Sequence, residues 1–138
     1  MDKQIYTDTK NKDQAQLLYS NITYKIRGAI FNVYNELGFG HKEQVYQKAL
    51  AEELNNIGLV FKREANVNVN YKGKIVGNYR PDFTIEGKII IELKAVPLMP
   101  KNYETQLIHY LKTTDYKLGL LVNFGSRKLF IKRLIWNK

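Results

Sequence analysis

The segment from residue 79 to residue 95 constrains the fold most, because it places charged side chains within an apolar strand. Residues 89–95 have the sequence Ile-Ile-Ile-Glu-Leu-Lys-Ala, which predicts a strand that is buried on both faces. Successive side chains of a strand point to opposite faces, so Glu92 and Lys94 share one face with Ile90. Burying such charges costs several kcal/mol each unless they are paired or bind a metal ion.

A second carboxylate is predicted to approach Glu92 across a hairpin. Residues 86–88, Glu-Gly-Lys, are predicted to form the turn, because glycine tolerates positive φ. Asp82 then lies on the partner strand, and a divalent cation such as Mg²⁺ would relieve the repulsion between the two carboxylates. Lys94 could orient an attacking water or stabilise charge on a phosphate. The structural alternative is a Glu92–Lys94 pair at a sheet edge, with Asp82 in a turn.

The composition excludes several kinds of site and favours an anionic partner. The 138 residues include 22 lysines and arginines against 13 acidic residues, a net charge of +9, which favours nucleic acid first among polyanions. Cysteine is absent, which excludes disulfides, zinc–thiolate sites, iron–sulfur clusters and cysteine nucleophiles. No apolar run approaches about 18 residues and no signal-peptide pattern is present, so we expect a cytoplasmic protein without a membrane partner.

Hydrophobic periodicity predicts an α/β fold in which helices pack on a single mixed sheet. A polar N-terminal arm is predicted at residues 1–20 and one domain at residues 21–138. The predicted order is two helices, three antiparallel strands, a crossover helix and two strands, the first of which joins the sheet beside the third strand. The predicted helices are 21–37, 43–57 and 103–113, and the predicted strands are 59–71, 75–85, 89–95, 118–124 and 129–135.

Two helices carry further candidate site residues. Gln106 and Tyr110 are spaced i, i+4 on the crossover helix and therefore share a face. Their structural alternative is a core aromatic at Tyr110 and a surface residue at Gln106. Glu43 begins the second helix, where the helix dipole alone would favour a carboxylate.

The residues Pro81-Asp82 followed by Glu92-Leu93-Lys94 resemble the signature of the PD-(D/E)XK nuclease superfamily. Gln106 and Tyr110 resemble the Gln-x-x-x-Tyr helix that follows this strand in RecB-like and lambda-exonuclease-like nucleases. In that class the two side chains lie beside the metal site and help to position substrate or catalytic groups.

Residues 40–46, Gly-His-Lys-Glu-Gln-Val-Tyr, match the motif that names the GxxExxY family, a small group within the same superfamily. The resemblance covers nearly the whole chain from about residue 21 and includes Asn-Phe-Gly at residues 123–125. By this resemblance Glu43 is the helix carboxylate that faces the metal. One departure is Tyr34, where that family often has histidine.

The resemblance implies a restriction-endonuclease-like fold and a nuclease that hydrolyses phosphodiester bonds with Mg²⁺ or Mn²⁺, DNA being favoured over RNA. The implied metal ligands are Glu43, Asp82, Glu92 and the Leu93 carbonyl. The implied catalytic residues are Asp82, Glu92, Lys94, Gln106 and Tyr110. Basic residues that are candidates for nucleic-acid binding are Arg80, Arg127, Lys128, Lys132 and Arg133, although a solvated ion pair is an alternative for Arg80.

Two other classes of function stay open. A nucleic-acid-binding or scaffold module could have the same fold without catalysis, and a basic interaction protein could lack a polynucleotide partner altogether. Salt dependence separates these two, because phosphate contacts release counterions and weaken steeply as salt rises. A homo-oligomer is also compatible with the sequence.

Overall fold

A computed structural model describes residues 19–137, so most of the predicted N-terminal arm lies outside the described residues. Within this range there are three helices: α1 (Ser20–Leu37), α2 (Glu43–Asn56) and α3 (Asn102–Thr113). The strands are β1 (Phe61–Arg63), β2 (Val67–Tyr71), β3 (Lys74–Tyr79), β4 (Phe83–Ile85), β5 (Ile89–Lys94), β6 (Leu118–Asn123) and β7 (Phe130–Ile135). None of the helices described between residues 19 and 137 has the length and apolar character to cross a membrane.

The centre of the fold is a five-stranded mixed sheet with the strand order β1-β4-β5-β6-β7. Strands β5 and β6 are parallel, and every other neighbouring pair in this sheet is antiparallel. A parallel pair needs a long crossover connection, which α3 provides. The predicted α/β class is therefore confirmed, as is the position of β6 beside the third predicted strand.

The prediction of one sheet with a three-stranded meander is wrong in detail, because two predicted strands are each divided. The first, 59–71, is interrupted at Glu64, which has a φ of 52° in the left-handed region. The second, 75–85, is interrupted at residues 80–82, where Pro81 has no N–H to donate to a ladder. Strands β2 and β3 pair with each other as a separate two-stranded sheet. We call this hairpin, Val67–Tyr79, the ribbon.

Two hydrophobic clusters cover the two faces of the central sheet. One cluster joins α1 and α2 to the side chains of Ile89, Ile91 and Leu93. The other joins α3 and the base of the ribbon to Ile90 on the opposite face of β5. This alternation is the one predicted from the period of two, and it leaves Glu92 and Lys94 on the face that α3 and the ribbon cover.

The loop after β6 is fastened to the loop after β5. The side-chain amide of Asn123 donates to the carbonyl of Val96 (2.9 Å), and its oxygen accepts the Val96 N–H (3.0 Å). Gly125 approaches the same backbone so closely that a Cβ there would lie 2.1 Å from the nitrogen of Val96. The carboxyl ends of β5 and β6 are therefore held together by backbone contacts that tolerate only glycine at position 125.

An aromatic pair connects this loop to the start of α2. The ring of Phe124 stacks on that of Tyr46, with centroids 4.6 Å apart. The Tyr46 hydroxyl donates to the carbonyl of Gly38 (2.7 Å) and accepts the His41 N–H (3.1 Å). These contacts fix the first turn of α2 beside the carboxyl ends of β5 and β6.

We expect Gly125→Ala to destabilise the protein by about 2 kcal/mol or more, because the added methyl would collide with backbone atoms that cannot rotate away. Gly28→Ala is the matched control, since Gly28 lies within α1 and nothing lies within 4 Å of a Cβ added there. Alanine in a helix interior should stabilise by roughly 0.5–1 kcal/mol. Urea unfolding of both variants measures the difference, and equal midpoints for the two would contradict the close approach.

Candidate active site

The site is built where the pairing of β4 with β5 ends. The ladder between these strands joins residues 83–85 to residues 89–91, so the backbone of β5 beyond Ile91 has no partner strand on that side. The carboxylate of Asp82, the residue just before β4, accepts the Leu93 N–H at 2.7 Å. A side chain thus continues the ladder, and this fixes Asp82 beside the charged end of β5.

The carboxyl groups of Asp82 and Glu92 are hydrogen-bonded to each other. Burial raises the pKa of Glu92 to about 8, and the negative charge of Asp82 adds to that rise. Burial also raises the pKa of Asp82, against the lowering effects of the Leu93 N–H and of Lys94. The Glu92 carboxyl is therefore protonated around neutral pH.

Glu43 is joined to this pair through Gln47. Both residues lie on α2 at i, i+4 spacing, and the Gln47 amide donates to the Glu43 carboxylate and to the Asp82 carboxylate, each at 3.2 Å. Burial, followed by the charge of Asp82, raises the pKa of Glu43. The structure therefore brings Glu43, Asp82 and Glu92 to one end of β5.

The ammonium group of Lys94 acts electrostatically on all three carboxyl groups. Its positive charge lowers the pKa values of Glu43, Asp82 and Glu92. The Nζ atom lies 4.4 Å from the ring centroid of Tyr103, on α3, which holds the cation over an aromatic face. Lys94 thus lies within electrostatic reach of the carboxylates.

Tyr79 is a site residue that the sequence interpretation missed. Its hydroxyl donates to the Glu92 carboxylate, and its ring stacks on that of Tyr110 with centroids 3.5 Å apart. Burial, with the charge of Glu92, raises the pKa of Tyr79 well above its usual range, so this hydroxyl remains a donor. The stack accounts for the position of Tyr110, whereas Gln106 is exposed and lines the open side of the cleft.

Gln47 was also missed, although its spacing from Glu43 was a usable signal, because residues four apart on a helix share a face. The cleft itself is formed by the end of β5, the end of the ribbon and α3. Its polar lining consists of Tyr79, Arg80, Glu92, Lys94, Tyr103, Gln106 and Tyr110.

The structure does not bring the predicted basic residues into one patch. Arg127 and Lys128 are exposed in the loop after β6, at the sheet edge where β5 also ends. Lys132 and Arg133 are neighbours on β7 and so point to opposite faces, and Lys132 is paired with Glu104 at 3.7 Å. Arg80 lines the cleft, where its Nε donates to the Asn66 side chain at 3.0 Å.

The donor groups at this site suit a hard divalent ion. Among residues 19–137, no three Asp, Glu, His or Cys side chains already form a group that could hold a metal ion. Two carboxyl groups nevertheless interact, and a third is joined to Asp82 through Gln47. Carboxylate and carbonyl oxygens are ligands of Mg²⁺ and Mn²⁺, and a cation would favour the ionised form that burial disfavours here.

Comparison with known proteins identifies the superfamily of the chain. The family model of the PD-(D/E)XK nuclease superfamily matches residues 20–134, and the chain therefore belongs to that superfamily. Its members are typically nucleases, and they generally use divalent metal ions.

One solved structure, "Crystal structure of SSO0001", is similar in fold, with a TM-score of 0.51 and 20% sequence identity. The similarity covers 69% of this chain and 51% of that one, so this chain spans about half the length of that protein. No curated protein sequence matches this chain significantly.

The raised pKa of Glu92 predicts that stability falls as pH rises when no divalent ion is present. The carboxyl of an unfolded glutamate ionises near its ordinary pKa of 4.5, whereas folded Glu92 stays protonated to about pH 8. The contribution of Glu92 to the free energy of unfolding is therefore fully present below pH 4.5 and is lost as the pH rises from there to about 8. The loss is on the order of 5 kcal/mol, because the pKa rises from 4.5 to about 8 and each pKa unit corresponds to about 1.4 kcal/mol.

Unfolding by urea in the presence of EDTA, between pH 5 and pH 8.5, measures this slope. Glu92→Gln should flatten it, because the amide cannot ionise, whereas Glu36→Gln removes an exposed carboxylate of α1 and should retain it. A wild-type stability that rises over this interval would show that the Glu92 environment does not favour the protonated form.

Proposed function

We propose that this protein is a Mg²⁺- or Mn²⁺-dependent nuclease that hydrolyses phosphodiester bonds of DNA. The main support is the convergence of Asp82, Glu92 and Lys94 at the end of β5, where Glu92 and Lys94 line a cleft that is open to solvent. Membership of a nuclease superfamily and the net charge of +9 support a polynucleotide substrate.

In this proposal the metal is held by Glu43, Asp82, Glu92 and the Leu93 carbonyl. When bound, the ion supplies positive charge at the phosphoryl group and makes water a better nucleophile. Tyr79 and Gln47 act through these ligands: the Tyr79 hydroxyl orients Glu92, and the Gln47 amide sets the spacing between Glu43 and Asp82. They are positioning residues.

Lys94 orients the attacking water and offsets the negative charge that develops on the phosphate. Water forms the new bond to phosphorus and gives up a proton, while the bond to one sugar oxygen breaks and that oxygen takes up a proton. The products are a phosphate monoester and a free hydroxyl. Gln106 and Tyr110 order the cleft, and flanking phosphates contact Arg80, Arg127 and Lys128, which lie in the cleft or at the end of the sheet where β5 ends.

Lys94→Ala should lower the rate of DNA cleavage by about 10²–10³-fold, the usual cost of removing one charge-stabilising group. DNA binding should change little, because one cation among many is lost. Lys88→Ala is the matched control, since Lys88 immediately precedes β5 at its opposite end. The measurement is cleavage of labelled single- and double-stranded DNA and RNA with Mg²⁺ or Mn²⁺.

If the wild type cleaves none of these substrates but still binds DNA, the nuclease proposal is wrong. The remaining interpretation would then be a nucleic-acid-binding module with the same fold. Equal cleavage by the Lys94→Ala variant and the wild type would remove Lys94 from the mechanism.

Metal binding has a readout that does not depend on activity. A ligand that binds only the folded state stabilises it by about 2.7 kcal/mol at 100 times its Kd. Mn²⁺ should therefore raise the Tm of the wild type at pH 8, and Asp82→Asn or Glu92→Gln should abolish the rise. Glu52→Gln is the control, since Glu52 is an exposed carboxylate of α2. Identical Mn²⁺ shifts in all four proteins would place the ion elsewhere.

A further inference from the structure

The ribbon is a regular two-stranded hairpin with a tight tip. Lys72 and Gly73 form its two-residue turn, and both have positive φ (49° and 77°). That combination defines a type I′ turn, whose twist matches that of the flanking strands. A register shift beside Val69 marks a bulge, which increases the twist further.

One face of the ribbon is anchored at the cleft. Val67 and Tyr79, which pair at its base, pack against Leu107 and Leu111 of α3. Tyr79 also donates to Glu92, and the next residue, Arg80, lines the cleft. The base of the ribbon is therefore part of the cleft wall, and its position relative to the carboxylates is fixed.

Most of the rest of the ribbon is exposed, and none of it is acidic. No Asp or Glu occurs from residue 65 to residue 81, whereas Lys72 lies in the tip and Lys74 directly follows it. Tyr71 and Ile75, beside them, are 59% and 62% exposed. The exposed side-chain amides of Asn68, Asn70 and Asn78 form no hydrogen bond with other described residues.

We propose that the ribbon docks into the major groove of duplex DNA while the cleft engages a phosphodiester of the same duplex. The major groove of B-form DNA admits a two-stranded ribbon, whereas the minor groove is too narrow. The major groove of an RNA duplex is deep and narrow, and side chains cannot enter it. Lys72 and Lys74 contact phosphates, and the asparagine amides face base edges, where such amides pair with adenine.

The length of the ribbon determines how many base pairs of duplex the docking requires. Tyr79 and Lys74 are the two ends of β3, and at about 3.3 Å per residue the strand spans roughly 17 Å. That distance corresponds to about five base pairs at roughly 3.4 Å each. Docking therefore uses about five base pairs of duplex to one side of the phosphodiester in the cleft. The docking rests on the proposed function only in one respect, namely that a phosphodiester of the same duplex lies in the cleft.

The double substitution Lys72→Asn and Lys74→Thr tests the docking. Asn-Gly is the preferred type I′ turn and threonine favours strands, so the variant removes two charges without weakening the hairpin. The matched control is Lys25→Gln with Lys48→Gln, which removes two exposed lysines from α1 and α2 on the opposite face of the sheet. Affinity for a fluorescein-labelled DNA duplex of about 20 base pairs is measured by anisotropy in EDTA.

The ribbon variant should bind the duplex about tenfold or more weakly, and the control should bind like the wild type. The slope of log Kd against log salt should fall by about 1.8 in the ribbon variant, since each phosphate contact contributes about 0.9. On an RNA duplex of the same sequence the ribbon variant and the wild type should not differ.

Equal affinities of the ribbon and control variants would overturn the proposal, as would an equal loss on DNA and RNA duplexes. A wild type that does not bind the DNA duplex would overturn it too. Because cleavage plays no part in these measurements, an inactive wild type whose ribbon variant binds weakly would refute the nuclease and leave the docking intact. An active wild type whose ribbon variant binds normally would refute the docking and leave the nuclease proposal intact.

Discussion

The bond from the Leu93 N–H to the Asp82 carboxylate is the interaction on which the site depends. Where β4 leaves the sheet, the edge of β5 needs an acceptor, and a buried N–H left unpaired would cost about 1–3 kcal/mol. The Asp82 carboxylate accepts this N–H and is thereby held beside Glu92. One hydrogen bond therefore both pairs the backbone N–H of Leu93 and brings the two carboxyl groups together. The consequence is two acidic groups in a half-buried position that disfavours their ionised forms. Such a cluster weakens the fold at neutral pH unless an opposite charge offsets it.

The second requirement is that Glu43, from a distant part of the chain, reaches the same place. The residues of the motif at 40–46 have different parts in positioning Glu43. Its last residue, Tyr46, holds the preceding loop with its hydroxyl and stacks on Phe124, whereas Glu43 begins the helix that this contact positions. Gln47 lies outside the motif and yet makes the contact that joins Glu43 to Asp82. The aromatic pair therefore determines where the carboxylate lies, and the amide determines how it meets its neighbours.

The helices, the hairpin of β4 and β5 and the alternation along β5 could be predicted from the sequence, because each depends on local periodicity or on a glycine turn. Of the two interruptions that divide the predicted strands, only one could have been predicted from the sequence. Pro81 was a usable signal, since proline rarely occupies a central strand, whereas the left-handed φ of Glu64 leaves no mark on the residue type. Tyr79 was missed because its contact with Glu92 depends on where the ribbon folds back, which is a tertiary property. Lys132 and Arg133 show the converse error, since neighbouring charges on a strand point to opposite faces and do not make one patch.

The interruptions that divide the predicted strands also build the cleft. Had the segment 75–85 continued as one strand, alternation would have placed Tyr79 and Asp82 on opposite faces of one sheet. The break at residues 80–82 instead ends the ribbon at Tyr79 and begins β4 after Asp82, and both side chains then reach Glu92. The break at Glu64 does the same for the other strand, so that both strands of the ribbon leave the central sheet together. Continuous strands would have given longer strands in the same five-stranded sheet, and the ribbon would not stand as a wall beside the carboxylates. The irregular backbone therefore creates the cleft.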